Sequence, residues 1–159
     1  MNKKNDEYWM NQAIQLAYLS EIVGEIPIGS ILILNNKIIG CGRNNSISKN
    51  DPTGHAEIIA LRQGGKFLNN YRLLNTTLYV TLEPCLMCFS AIFLSRISNL
   101  VYGAHDNSNN KCCFKQHLLK HIFVNSSLKI KSGILELKCS TMIKKFFHKK
   151  RKKNLLNQL

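Results

Sequence analysis

The stretch Thr76-Thr77-Leu78-Tyr79-Val80-Thr81-Leu82-Glu83-Pro84-Cys85-Leu86-Met87-Cys88-Phe89-Ser90-Ala91-Ile92-Phe93-Leu94 decides the fold. Its first part, Thr76 to Leu82, is β-branched, aromatic or leucine, the composition of a strand. Pro84 then opens a helix, because a first helical residue loses nothing by lacking an N–H and gains from a fixed φ. The spacing predicts that helix over Cys85 to about Leu94, and Leu100 to Ala104 reads as a further short strand.

The same alternation extends outward. Trp9, Ala13, Leu16 and Ala17 recur at helical spacing between Asp6 and about Val23, with Gly24 as the stop. Ile28 to Leu34 and Lys37 to Gly42 flank Asn35-Asn36 and read as a hairpin. Asp51-Pro52-Thr53-Gly54 is turn chemistry that delivers the chain into a helix from His55 to Arg62, which Gly64-Gly65 should end. Leu128 to Ile130 reads as a strand, and a basic helical tail runs from about 136 to 159; Asn107 to Asn125 takes no assignment. There is no repeat and no linker, so residues 1–159 are expected to form one domain. Strands alternating with helices predict a three-layer α/β/α architecture around one sheet.

Composition narrows the function. A formal charge of +13, from 22 Lys plus Arg against 9 Asp plus Glu, favours polyanionic partners, nucleic acid first. The richness in Lys, Asn and Ile is also what an A+T-biased coding sequence produces without selection for binding. No run reaches the length of a bilayer span, and no apolar region follows the lysines of the N-terminus, so a cytoplasmic protein without a membrane role is expected. The six cysteines are therefore read as reduced thiols, some of them metal ligands, in preference to disulfides.

Two local patterns carry chemistry: His55-x-Glu57 and Pro84-Cys85-x-x-Cys88. Each lies where the chain turns into a helix. Zinc accepts imidazole nitrogen and thiolate sulfur, and Cys-x-x-Cys lets one helical turn supply two ligands. The positive end of a helix favours thiolate over thiol. His55, Cys85 and Cys88 leave one corner of a tetrahedron open, the arrangement of a catalytic zinc that activates water near neutral pH. Glu57, two positions beyond a ligand, can stay outside the metal shell and act as proton shuttle. Taken singly the patterns are weaker, because Cys85 and Cys88 could be thiols on a buried helix. Taken together, in this order, they are the signature of zinc nucleobase deaminases. Cys41, Cys112, Cys113 and Cys139 read as core or surface thiols.

Beyond that signature the chain resembles the bacterial tRNA-specific adenosine deaminases of the cytidine/deoxycytidylate deaminase superfamily. The matching stretches include Glu7-Tyr8-Trp9-Met10, Pro27-Ile28-Gly29, Asp51-Pro52-Thr53, His55-Ala56-Glu57-Ile58, Asn70-Tyr71-Arg72-Leu73, Thr77 to Cys85 and Ser95-Arg96-Ile97. The resemblance implies a cytidine-deaminase-like fold with a central mixed sheet of about five strands, one Zn2+ per subunit, and a homodimer. It implies a tRNA anticodon stem-loop as partner, and deamination of adenosine to inosine at the wobble position. Asn44 matches a position that hydrogen-bonds the flipped nucleotide, Asp106 one that touches the substrate sugar, and Phe147 a tail aromatic near the anticodon loop. From the residues alone, Asn44 and Asp106 read as turn residues and Phe147 as core-facing. The chain departs from the family at His105, where Arg is common, at Gly54, where Ala is common, and in the loop Asn107 to Phe114.

The tail, Phe146-Phe147-His148-Lys149-Lys150-Arg151-Lys152-Lys153, combines charge for phosphates with aromatics for unpaired bases. A solvated, frayed helix end would look similar. Three readings follow: an adenosine deaminase acting on tRNA, a cytosine, guanine or nucleoside deaminase with the same machinery, and an RNA-binding zinc module without activity. Glu57 argues against the third, and the tail and the wider matches against the second.

Overall fold

The computed structural model describes residues 5–106 and 127–156. The elements are α1 (Asp6–Ile22), β1 (Gly29–Leu34), β2 (Lys37–Arg43), α2 (Ser46–Lys49), α3 (Ala56–Leu68), β3 (Thr77–Leu82), α4 (Leu86–Leu94), β4 (Asn99–Ala104), β5 (Lys129–Lys131) and α5 (Glu136–Leu156). Five strands form one mixed sheet in the order β2-β1-β3-β4-β5. β1 is antiparallel to both its neighbours, whereas β3, β4 and β5 are parallel.

Side chains alternate across this sheet, and each face takes a helical layer. Leu32, Leu78, Val80 and Leu100 pack against Ala60 and Leu61 of α3 and Phe89 and Ile92 of α4. Ile31, Ile33, Tyr79 and Val101 face the other way, against Trp9, Met10, Ala13 and Ile14 of α1 and Cys139 of α5. The predicted three-layer architecture and mixed five-stranded sheet are what the chain forms. The hairpin also forms as expected: Asn35 and Asn36 both take positive φ, the turn geometry that matches strand twist.

Three local expectations need correction. α3 does not stop at Gly64-Gly65 but continues to Leu68, with Asn69 as a left-handed cap. Gly64 serves contact instead of termination, since a Cβ there would collide with the Leu32 side chain. Pro84 lies outside α4, because Cys85 is the N-cap and Leu86 the first helical residue. The short α2 between β2 and α3 was not anticipated.

The topology sets where the site falls. β2, β3 and β4 point the same way, so their carboxyl ends emerge along one edge. Asn44, Glu83 to Cys85, and His105-Asp106 all follow those ends, the location where α/β sheets bind ligands. At the opposite edge, the Asp6 carboxylate accepts from Tyr79 Oη at 2.8 Å and pairs with Lys131 Nζ at 2.6 Å, tying the start of α1 to β3 and β5.

Candidate metal centre

Two helix N-termini converge on the site. His55 is the N-cap of α3 but makes no capping hydrogen bond with its ring, which leaves the imidazole available. Asn44 does the capping: its Oδ1 accepts from Ala56 N–H at 3.3 Å. Asn44 is itself fixed, donating N–H to Ile28 O at 3.1 Å and accepting from Ser20 Oγ at 3.0 Å. It is thus a buried bracing residue and no free turn Asn. Opposite, Cys85 is the N-cap of α4 and Cys88 lies on its first turn.

His55 Nδ1 lies 3.6 Å from Cys85 Sγ and 3.4 Å from Cys88 Sγ, and the three ligand atoms all fall within 4.8 Å of one another. A tetrahedral zinc with ordinary Zn–N and Zn–S bonds would set an N···S edge of about 3.5 Å. The donor set and its spacing fit zinc, and Nδ1 is the ring nitrogen turned to the thiols. Among the described residues no other such group of His, Cys, Asp and Glu is brought together. Cys139 is buried on the inner face of α5, and Cys41 lies half-buried on β2. Cys112 and Cys113 lie outside the described residues, as does the divergent loop 107–114.

The electrostatics favour metal binding and acid–base work. A hydrogen bond from Cys88, opposed by burial, brings the Cys85 thiol down to about 5. Cys88 is pushed up, first by that same bond to Cys85 and then by burial, so the pair holds one ready thiolate. Glu57, on the first turn of α3 and only 4% exposed, is driven up to about 7 by burial, its own backbone N–H opposing. Its carboxyl also hydrogen-bonds the Cys88 thiol, which places it against the metal shell. A carboxyl poised near neutrality can both take and give a proton.

Asp106 and Phe147 come together in a cleft of about 490 Å³, shared with Ile26, Ile28, Leu82 and Lys144. The core-facing expectation for Phe147 is wrong by one residue: Phe146 is 7% exposed and buried, whereas Phe147 is 38% exposed and lines the cleft. Sequence reasoning also missed Glu83. Its Oε2 accepts from Asp106 N–H at 3.1 Å and lies 3.5 Å from His105 Nδ1.

Known proteins are similar to this chain. Residues 3–104 match the family described as the cytidine and deoxycytidylate deaminase zinc-binding region. A tRNA-specific adenosine deaminase of Buchnera aphidicola subsp. Baizongia pistaciae is 53% identical over 152 residues, covering 93% of this chain and 91% of the relative. The protein of that name from Haemophilus influenzae is 47% identical, covering 96% and 89%. A solved structure from work on A-to-I editing by tRNA:A34 deaminases superposes with a TM-score of 0.78 at 32% identity, covering 85% of this chain and 98% of that one. A guanine deaminase of Bacillus subtilis superposes with a TM-score of 0.62 at 38% identity, over 64% of this chain and 66% of that one. With a zinc-shaped His-Cys-Cys cluster at the paired helix ends and relatives aligned along nearly its whole length, the chain belongs to the zinc-dependent cytidine and deoxycytidylate deaminase family.

Proposed function

We propose that this protein deaminates adenosine to inosine at the wobble position of a tRNA anticodon. The observation that carries the proposal is Glu57, a buried carboxyl held against the His55, Cys85 and Cys88 cluster. A carboxyl is costly to bury, so its placement calls for a chemical reason. When bound by these three residues, zinc supplies a Lewis acid that makes water a nucleophile at neutral pH. Glu57 would accept a proton from the attacking water and deliver it to N1 of the purine, and a second transfer from the same carboxyl would let the amine leave as ammonia. The C6–O bond forms, the C6–N bond breaks, and water plus adenosine become inosine plus ammonia. His55, Cys85 and Cys88 hold the metal, and Glu57 is the catalytic acid and base. Asn44 stands at the N-terminus of α3 to receive the flipped base, and Asp106 and Phe147 line the cleft for sugar and loop.

The substrate class rests on surface as well as kinship. Lys144, Lys145, His148, Lys149 and Arg151 line one groove of α5, suited to RNA phosphates. A wobble base is already unpaired, so extracting it costs little. The chain is read as a cytoplasmic homodimer. Phe67, Tyr71, Leu74 and Leu94, all exposed near the ends of α3 and α4, supply apolar surface for such contact. No helix among the described residues is long and apolar enough to cross a membrane.

The test is inosine formation by zinc-loaded protein in an anticodon stem-loop RNA bearing wobble adenosine. Inosine in the RNA, with free adenosine left almost untouched, is the expected result. Release of ammonia from guanine instead, with none from the RNA, would overturn the proposal and favour the likeness to guanine deaminase.

A further inference from the structure

We propose that Glu83 is a positioning residue that fixes the far wall of the substrate cleft to the strand that leads into Cys85. The inference rests on the proposed RNA reaction but names a residue and a contact outside it. Glu83 follows β3 directly and stands two residues before Cys85. Its backbone N–H donates to Ala104 O at 2.8 Å, extending the β3–β4 pairing past the last ladder residues. Its side chain, mostly shielded, then turns toward the exit of β4. There Oε2 accepts from Asp106 N–H at 3.1 Å and meets His105 Nδ1 at 3.5 Å. His105 Nδ1 is in turn 3.4 Å from Tyr102 Oη, with the two rings edge to face at 5.3 Å.

The consequence is geometric. Asp106 lines the cleft with Phe147, and its main chain is held by a side chain from the strand that delivers Cys85. Without that bond, the chain leaving β4 has one fewer tie to β3, and Asp106 is held less firmly relative to the metal ligands. A carboxylate accepting a backbone N–H is a charge-assisted bond, stronger than a neutral one. The Gln side chain keeps an acceptor oxygen of the same reach, whereas Ala removes it.

The experiment compares wild type, Glu83→Ala and Glu83→Gln as zinc-loaded proteins by two readouts. The first is exchange of the Asp106 amide hydrogen, which needs no substrate. It should quicken about tenfold or more in Glu83→Ala, with the amides of α4 unchanged and zinc content intact, and return most of the way in Glu83→Gln. The second is inosine formation in the anticodon stem-loop. KM should rise about tenfold in Glu83→Ala with kcat altered far less, and Glu83→Gln should recover most of the loss. An Asp106 amide that exchanges at the wild-type rate in Glu83→Ala overturns the proposal. So does a fall in kcat at unchanged KM, or a Glu83→Gln variant as impaired as Glu83→Ala. Wild type that makes no inosine, with the exchange pattern as expected, sinks the substrate reading and leaves the clamp standing.

Discussion

At Glu57 the chemistry and the burial point the same way. The carboxyl is inside, against Cys88 and near His55, yet among the described residues it makes no salt bridge that would explain its cost. Glu57→Ala is expected to lower single-turnover inosine formation at least about 10²-fold. Metal analysis of the same variant should find full zinc, because three other side chains form the ligand set. Zinc lost with the carboxyl would make Glu57 a structural part of the shell and remove the assignment. His55, Glu57, Cys85 and Cys88 were legible in the sequence because each pattern is local, within a turn of helix. Glu83 was not, since its contact with Asp106 spans 23 residues and exists only once β3 and β4 are paired. Phe146 and Phe147 are adjacent on one helix, and which of them faces inward is set by how α5 lies on the sheet, a tertiary fact.

Among the elements, α3 is the one whose placement the site cannot spare. It lies close on β2 because Gly42 faces it: a Cβ there would be driven into the carbonyl oxygen of Ala56. Backbone offers no rotamer by which to yield, so α3 itself would have to move, and with it His55 and Glu57. Gly42→Ala should therefore destabilise the fold by about 1–3 kcal/mol in denaturant melts, as overpacking does. It should also weaken zinc retention against a chelator, a loss that a remote core change of equal cost would not produce. The strands were readable from their β-branched, aromatic composition and the hairpin from Asn35-Asn36. The end of α3 was not, because glycine is a stop signal in sequence but here provides room for Leu32. α2 has four residues, too few to leave any period.

Across the whole molecule, the excess positive charge is concentrated toward the end of α5, but not all of it is available to a partner. Lys149 Nζ is paired with Glu21 at 2.9 Å, and Lys150 lies over the Phe146 ring at 5.9 Å. Lys144 and Lys145 are exposed as well, and at the helix end so are Arg151, Lys152 and Lys153. Replacing those three by Gln should weaken stem-loop binding and lower the slope of log affinity against log salt by about 2, at ~0.7 per lost contact to an unpaired strand. A slope equal to the wild type's would show the tail to be merely solvated. The charge excess was plain from composition; that part of it holds α5 to α1 needed the packing. The sheet also has two unlike edges, one where β2, β3 and β4 discharge toward the metal ligands and one where Asp6 joins Tyr79 and Lys131. Anchored to a solid support through a linker ahead of α1, the protein would stand with its reactive edge pointing outward, whereas attachment within 44–50 would bury that edge against the support.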